Sequence, residues 1–251
     1  MTQTLTGTVV LVTGASSGIG EATAVALAEE GASIALVARR RDRLEALAER
    51  IGDRGLVIEA DVTDREQASR AVATARSEFG RLDTLVNNAG VMLLGPIVGA
   101  PIEEWERMVH LNVLGLLYCT HAALPHLLAA AESEPRSVAD VVNVSSVAGR
   151  VARLNSGVYN ATKWGVGAFS ESLRQEVTAR HVRVTIIEPG ATATELASHN
   201  RPEILEGMAQ TFGGIEMLQA DDIANSVRYA VTQPRHVAVN EILIRPTEQE
   251  R

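Results

Sequence analysis

The chain is 251 residues long and 46% of them are hydrophobic, which is enough to bury a large core. Acidic residues outnumber basic ones, 31 against 23, for a formal net charge of -8, and no basic tract suits a nucleic-acid backbone. From composition and charge we therefore expect no nucleic-acid partner.

No targeting signal is recognisable in the sequence. The start, MTQTLTGTVVLVTG, lacks the basic residues and the cleavable apolar run of a secretory signal. Charges, histidine or proline interrupt the apolar segments before they reach the roughly 18 residues of a membrane span. The single cysteine, Cys119, cannot form an intramolecular disulfide. We therefore expect a soluble, cytoplasmic protein with no membrane partner.

Short β-branched segments alternate with longer segments of helical periodicity. The predicted strands, in chain order, are 8–13, 33–38, 56–60, 84–88, 140–145, 182–188 and 241–246. Their continuous hydrophobicity is typical of strands covered on both faces, as in a parallel sheet flanked by helices. The sequence predicts an α/β protein with a single-domain Rossmann fold, in which a doubly wound, mostly parallel, seven-stranded sheet carries helices on both faces.

Two segments stand apart from this repeat, and neither divides the predicted single domain of residues 1–251. Residues 130–140 are expected to form a surface connection. Residues 195–218 follow a strand end and contain glycines and mixed polarity, which is typical of a mobile substrate flap.

A glycine-rich turn, TGASSGIG at 13–20, follows the first predicted strand and opens a helix. Glycine lets the backbone approach a diphosphate, and the free amides at a helix start favour its negative charge. The spacing differs from G-x-G-x-x-G and lacks the lysine of a P-loop, so a turn that serves packing only stays an alternative. The residues expected to contact a dinucleotide here are Gly14, Ser16, Ser17, Gly18, Ile19 and Gly20.

The second predicted strand ends in ARRR at 38–41, where a dinucleotide fold that prefers NAD carries an acid. An arginine can bind a 2′-phosphate through a two-pronged hydrogen bond, so the predicted cofactor is NADP(H). Arg39 is the first candidate and Arg40 the second. The alternative is that these arginines pair with acids of the following helix, and for Arg41 we favour it.

Further motifs follow in order along nearly the whole chain. Together with the glycine-rich turn they resemble the short-chain dehydrogenase/reductase family. They are NNAG at 87–90, Asn112, SSVAG at 145–149, Tyr159-x-x-x-Lys163 and Pro189-Gly190. The stretches VMLLGPI, HAALPHLL, FSESLRQEV and NEILIRPT are similar to the branch that holds clavulanate-aldehyde reductases and NADP-dependent serine or 3-hydroxy-acid dehydrogenases.

The resemblance implies further cofactor contacts at strand ends. They are Asp61 and Val62 at the adenine ring; Asn88, Ala89 and Gly90 at its ribose; and Pro189, Gly190, Thr192 and Thr194 at the nicotinamide carboxamide. Turn or helix-cap chemistry is the alternative for each group, and for Asn87 we favour the turn. Just beyond, Met92, Leu93 and Leu94 either line a substrate pocket or pack beneath the flap.

Tyr159 and Lys163 lie on one face of a helix predicted over 157–180, because positions four apart nearly coincide around the axis. A phenol has a pKa near 10. We expect the neighbouring ammonium to supply part of the lowering that catalysis needs, and the positive nicotinamide ring of the oxidised complex and hydrogen bonds to supply the rest. Ser146 is expected to polarise a substrate oxygen. The resemblance implies that Asn112 holds a water between Lys163 and solvent. The predicted catalytic residues are therefore Asn112, Ser146, Tyr159 and Lys163.

These features predict the NADPH-dependent, reversible reduction of a small aldehyde or ketone to an alcohol. Two alternatives are a non-catalytic NADPH-binding sensor and an epimerase or dehydratase on the same scaffold. No histidine or cysteine spacing suggests a metal. The resemblance also implies a homo-oligomer, a tetramer or a dimer, joined through helices at about 112–131 and 157–180.

Overall fold

The computed structural model describes residues 4–212 and 214–250, and its strands form one fully parallel sheet. The strand order among these residues is β3-β2-β1-β4-β5-β6-β7. The predicted doubly wound, seven-stranded fold is confirmed, including the last strand at the sheet edge. The strands are β1 (Val9–Thr13), β2 (Ser33–Ala38), β3 (Gly55–Glu59), β4 (Thr84–Asn87), β5 (Ala139–Val144), β6 (Val182–Pro189) and β7 (Glu241–Ile244).

Helices connect successive strands. They are α1 (Gly18–Glu29), α2 (Arg41–Ile51), α3 (Arg65–Phe79), α4 (Ile102–Val109), α5 (Leu116–Ala131), α6 (Gly157–Val177), α7 (Pro202–Phe212) and α8 (Ala220–Val231). A π-helical turn, His110–Gly115, joins α4 to α5 in one continuous helix. This helix starts about ten residues before the predicted segment 112–131.

The sheet is covered on both faces because its strands send alternate side chains to opposite sides. In β1, Leu11 packs with α3, α5 and α6, whereas Val10 and Val12 pack with α1, α2 and α8. Each face thus has its own apolar core, and the central strands are buried along their whole length. This packing explains the continuous hydrophobicity of the strand segments.

The chain reverses its winding direction between β1 and β4, which are neighbours in the sheet although two strands separate them in sequence. In an open parallel sheet, ligands bind beyond the carboxyl ends of the strands at such a switch point. The turns that follow β1 and β4 carry the predicted motifs TGASSGIG and NNAG. The fold therefore brings these two distant motifs together.

Asn87 does not belong to a turn, and that interpretation was wrong. The side chain is buried in β4, and its Nδ2 donates to Asn143 Oδ1 and Thr120 Oγ1, both at 2.9 Å. These hydrogen bonds join β4 to β5 and to α5. A buried amide in a strand needs such partners, because an unpaired polar group would destabilise the core.

One helix in the described part of the chain, Ile102–Ala131, is long and apolar enough to cross a membrane by length and composition alone. Core helices of soluble proteins pass the same test. This one packs against the sheet and α3, and it buries Cys119, Ala123 and Leu127 in the core. Burial raises the pKa of the Cys119 thiol to about 12, as suits a structural thiol.

Candidate active site

A groove of about 440 Å³ crosses the carboxyl ends of the strands. Its walls come from the segments that end or follow β1, β2, β3, β4, β5 and β6. All of the residues predicted for the site line this groove, except Gly20 and Asn112. The predicted site is therefore one continuous cavity, of a size that suits a small-molecule ligand.

The glycine-rich turn is shaped for close approach by a ligand. Gly14 has φ +66 and Gly18 has φ +55, a backbone region that disfavours other residues. A Cβ on Gly14 would lie 2.9 Å from Ala89 Cα. Helix α1 begins at Gly18, and Ser17 makes no side-chain cap hydrogen bond there. The first amides of α1 are thus available to an anion, so the turn fits a dinucleotide diphosphate.

Gly20 serves packing, which was the alternative weighed for the turn as a whole. A Cβ at this position would lie 2.3 Å from the Gly14 carbonyl oxygen and 2.5 Å from Asn88 Nδ2. Asn88 in turn binds the end of β1, since its Nδ2 donates to the Thr13 carbonyl at 3.0 Å. The two glycine-containing motifs therefore hold each other in place at the switch point.

The arginines after β2 differ in their surroundings. The Arg39 side chain is 67% exposed at the rim of the groove, and its Nη1 lies 3.7 Å from Asp61 Oδ2. Arg41 instead pairs with Glu45 at 2.7 Å on the surface of α2, as we expected. Arg39 therefore offers a guanidinium at the groove that a phosphate can reach, which fits the predicted 2′-phosphate of NADP.

Arg40 joins the glycine-rich turn to the start of the predicted flap. Its Nη2 donates to Ser17 Oγ at 2.7 Å and its Nε to Ser16 Oγ at 3.1 Å. Its Nη1 lies 2.9 Å from Glu195 Oε2, and this contact lowers the pKa of the Glu195 carboxyl. The Arg40 side chain thus has three side-chain partners, whereas the Arg39 side chain is the more exposed of the two candidates.

Tyr159 and Lys163 lie in the depth of the groove, on the first turns of α6. Lys163 is the sole lysine of the chain, and its Nζ donates to the Val144 carbonyl at 2.9 Å. The same Nζ lies 5.8 Å from the centroid of the Tyr159 ring. Ser146, just after β5, lies close enough to Tyr159 to oppose the rise of its pKa. The structure therefore brings the three predicted groups together.

The pKa values of this pair differ from the expectation. Burial raises the pKa of Tyr159 to about 12, against an opposing contribution from the Ser146 hydrogen bond. Burial also lowers the pKa of Lys163 to about 8. In the protein by itself the phenol pKa is not lowered, because desolvation disfavours the charged form of both groups. The lowering predicted for the complex with oxidised cofactor stays a prediction.

Asn112 lies behind the groove and not in its wall. Its Oδ1 accepts from Val91 N at 2.8 Å, and its Nδ2 donates to Val91 O at 2.9 Å and to Thr162 Oγ1 at 3.2 Å. The side chain thereby joins the segment after β4 to the helix that carries Tyr159 and Lys163. We describe Asn112 as a positioning residue, and its water relay stays a prediction.

The groove extends beyond the predicted residues and has both apolar and polar lining residues there. Met92 and Leu94 line it, whereas Leu93 is buried in a small core cluster, which answers the question left open by the sequence. Further lining residues at this end are Ala148, Arg153, Ser156, Asn160, Met208 and Met217. This end has the properties of a pocket for a small organic substrate.

The predicted flap, 195–218, has a fixed base. Its first turn is a 3-10 helix, Glu195–His199, and the following Asn200 is buried. Asn200 Oδ1 accepts from Leu94 N at 2.7 Å, and Asn200 Nδ2 donates to Met92 O at 2.9 Å. Helix α7 follows. Gly213 lies within the predicted flap but outside the described residues.

Sequence reasoning missed Arg153, Asn160 and Asn200. Asn160 follows Tyr159 directly, so an amide side chain next to a predicted catalytic residue could have marked Asn160 as part of the site. Arg153 and Asn200 lie outside the recognised motifs. The position of Asn200 depends on Leu94, 106 positions away, whereas the Arg153 backbone is held by Asn160, seven positions along the chain. No local pattern marks them.

The fold and the groove define a dinucleotide-dependent oxidoreductase. Residues 8–205 match the sequence profile described as short chain dehydrogenase, and the chain therefore belongs to that family. The closed form of a serine dehydrogenase complexed with NADP+ has the same fold, with a TM-score of 0.89 and 32% identity over 97% of this chain and 96% of that one. The cofactor is NADP(H), as the arginines at the end of β2 predicted.

Two relatives in sequence are likewise a reductase and an oxidoreductase by name. The chain is 43% identical over 249 residues to the glycine betaine reductase ATRR of Emericella nidulans, which covers 98% of this chain but 19% of that protein. It is 38% identical to an uncharacterized oxidoreductase of Staphylococcus saprophyticus, and the match covers 96% of each chain. The chain thus spans about a fifth of the first relative and nearly all of the second.

Proposed function

We propose that this protein is a carbonyl reductase that reversibly converts an aldehyde or ketone to an alcohol with NADPH. The observation that carries the proposal is the Tyr159 phenol, which lines the groove together with Ser146 and Lys163. Because burial raises the pKa of this phenol to about 12, the group holds its proton at neutral pH. A protonated phenol can donate that proton to a carbonyl oxygen.

When bound in the groove, NADPH would supply the hydride that reduces the carbonyl carbon. Tyr159 and Ser146 hold the carbonyl oxygen between their hydroxyls, and Tyr159 transfers its proton to that oxygen. Ser146 is itself oriented because its Oγ accepts from Ala148 N at 3.1 Å. Lys163 places a positive charge beside the phenol and so stabilises the phenolate that remains after proton transfer.

The positions of these residues in the groove support an assignment of the cofactor contacts. We assign the diphosphate to Gly14, Ser16, Ser17, Gly18 and Ile19; the 2′-phosphate to Arg39, with Arg40 beside it; the adenosine to Asp61, Val62, Asn88, Ala89 and Gly90; and the nicotinamide to Lys163, Pro189, Gly190, Thr192 and Thr194. Gly20 supports the turn from behind. The serine dehydrogenase complexed with NADP+ supports this proposal, because a dehydrogenase that binds NADP+ shares this fold.

The test is a screen of NADPH oxidation across aldehydes, ketones, diketones and β-keto acids, with Tyr159→Phe as the matched inactive control. We expect saturable NADPH consumption with at least one carbonyl class, and the corresponding alcohol as product. Binding of NADPH without turnover on any carbonyl would contradict the proposal and would favour a sensor. Turnover that leaves NADPH unconsumed would instead favour an epimerase or dehydratase.

We further propose a cytoplasmic homo-oligomer, a tetramer or dimer, joined through the long helices. The support is an exposed apolar surface: Trp164 on α6 is 52% exposed and Val109 on α4 is 40% exposed. Sedimentation analysis of the protein and of Trp164→Glu tests this. We expect the native protein to be oligomeric and the variant to dissociate, whereas a monomeric native protein would contradict the proposal.

A further inference from the structure

A second cavity of about 470 Å³ lies beside the groove at its cofactor end. It shares three lining residues with the groove, so the two cavities adjoin. The shared residues are Arg39, Asp61 and Leu111, and the others are Thr63, Arg107 and His110. The second cavity is therefore bounded on one side by the segments that follow β2 and β3, and on the other by α4 and the π-helical turn.

Arg107, Leu111 and Gly115 lie on one face of the continuous helix, because positions four apart nearly coincide around the axis. This face packs directly against the segment after β3. A Cβ on Gly115 would lie 3.2 Å from Val62 Cγ2 and 3.3 Å from the Val62 carbonyl oxygen. Leu111 lines both cavities, and Arg107 lines the second cavity one helical turn earlier. Arg107 therefore lies on the face that is turned toward the segment after β3.

The two arginines already described at this end each have an acidic partner. Arg39 Nη1 lies 3.7 Å from Asp61 Oδ2, and Arg40 Nη1 lies 2.9 Å from Glu195 Oε2. Each pair is neutral in sum, whereas a phosphate monoester carries more than one negative charge near neutral pH. Binding of a 2′-phosphate is therefore favoured by a further cation that has no acid of its own.

Arg107 is a cation of this kind. Among residues 4–212 and 214–250 it forms no ion pair, and the residue is exposed. Its acidic neighbours on α4 are Glu103, Glu104 and Glu106, and of these Glu104 pairs with Arg201 at 3.1 Å. The positive charge of Arg107 is thus available to a ligand in the second cavity.

The charge of Arg107 also acts on the groove. His199, in the first turn of the flap, lines the groove. Burial is the largest cause that lowers the pKa of the His199 imidazole, and the charge of Arg107 is the next. Arg40 and Arg39 lower it further, against an opposing contribution from Glu195. Because such an effect requires a nearby charge, the three arginines act at the same place in the groove.

We propose that Arg107 is a further NADP(H)-binding residue, which holds the 2′-phosphate from the side of α4 while Arg39 holds it from the side of β2. Both arginines line the second cavity, so their guanidiniums can bind one phosphate through charge-assisted hydrogen bonds. The inference rests on NADP(H) as the cofactor and not on the proposed reduction of a carbonyl compound. A guanidinium that only covers the adenine ring is the competing explanation, since arginine also stacks on aromatic faces.

The test compares ligands that differ only in the 2′-phosphate: NADPH with NADH, and adenosine 2′,5′-bisphosphate with adenosine 5′-monophosphate. Arg107→Met removes the charge, Arg107→Lys keeps a charge without the fork, and Arg70→Met removes an exposed arginine on α3 as a matched control. We expect Arg107→Met to raise the dissociation constant about tenfold for the two ligands with a 2′-phosphate, and less than about twofold for the others. Arg107→Lys should have a smaller effect, and Arg70→Met should change no dissociation constant.

Calorimetric titration measures all four dissociation constants in the absence of a carbonyl substrate. A loss confined to the ligands with a 2′-phosphate would confirm the inference, even in a protein that reduces no carbonyl compound. Retained binding of NADH in Arg107→Met would show that this variant is folded. Equal weakening of both ligands of a pair would overturn the inference and favour contact with the adenine ring. Unchanged binding of NADPH in Arg107→Met would overturn it as well.

Discussion

The cofactor end and the substrate end of the groove are built in different ways. At the cofactor end, glycine turns and strand ends provide the wall, and the Arg39 side chain is 67% exposed. At the substrate end, Tyr159 and Lys163 are buried, and bonds between distant segments hold the wall, such as Asn200 with Leu94. Local motifs therefore determine much of the cofactor end, whereas contacts between distant segments determine the substrate end.

A substitution of Tyr159 separates the chemical step from cofactor binding, and we expect it to have the largest effect on activity. Tyr159→Phe removes the proton donor but keeps the ring that packs in the core. We expect the rate of carbonyl reduction to fall by about a thousandfold, while the NADPH dissociation constant changes by less than about threefold. Steady-state kinetics and a fluorescence titration with NADPH measure the two quantities. Unchanged turnover would refute the assignment of Tyr159.

A second variant acts on the cofactor end alone. Arg39→Ala removes the open guanidinium at the rim of the groove. We expect the NADPH dissociation constant to rise by about 30-fold and that of NADH by less than about twofold, because NADH lacks the 2′-phosphate. Arg41→Ala removes a nearby arginine at the start of α2. It is the matched control and should leave both dissociation constants unchanged. Equal weakening of both cofactors by Arg39→Ala would argue against this role.

A third variant loosens the substrate end. Asn200→Ala removes the side chain that holds the base of the flap to the backbone of Met92 and Leu94. We expect KM for the carbonyl substrate to rise by about five- to tenfold, with little change in NADPH affinity. Hydrogen exchange should become faster in residues 195–208. Unaltered exchange in that segment would show that Asn200 does not fix the flap.

The smallest effect concerns the buried amine. Because Lys163 is the only lysine, isotope-labelled lysine gives one side-chain resonance to follow during a pH titration. Burial lowers its pKa to about 8, so the ammonium is present below that pH and is lost as the pH rises through it. A titration midpoint near the ordinary value of 10.5 would show that the amine is solvated, contrary to the structure.

The same difference explains which parts of the fold and of the site could be predicted from the sequence. Strand positions follow from continuous hydrophobicity, and the glycine turn, the arginines and the Tyr159–Lys163 pair are visible as short patterns. Asn87 was misread because burial in β4 and bonding to Asn143 depend on a neighbouring strand. The raised phenol pKa of the protein by itself could not be predicted for a related reason, since the extent of desolvation is a property of the packed fold.

Asn200 defines the limit more sharply. Its side chain gains its place from the backbone of Met92 and Leu94. Asn200 and Leu94 are 106 positions apart, so no local window contains both. The substrate end therefore requires the structure, whereas much of the cofactor end does not.

The most direct test of the two-ended groove is an NADPH titration of four proteins: native, Arg39→Ala, Tyr159→Phe and the double variant. If the ends act independently, the double variant should bind NADPH as weakly as Arg39→Ala does, and Tyr159→Phe should bind it like the native protein. Weakening of NADPH binding by Tyr159→Phe to the same extent as by Arg39→Ala would contradict the account.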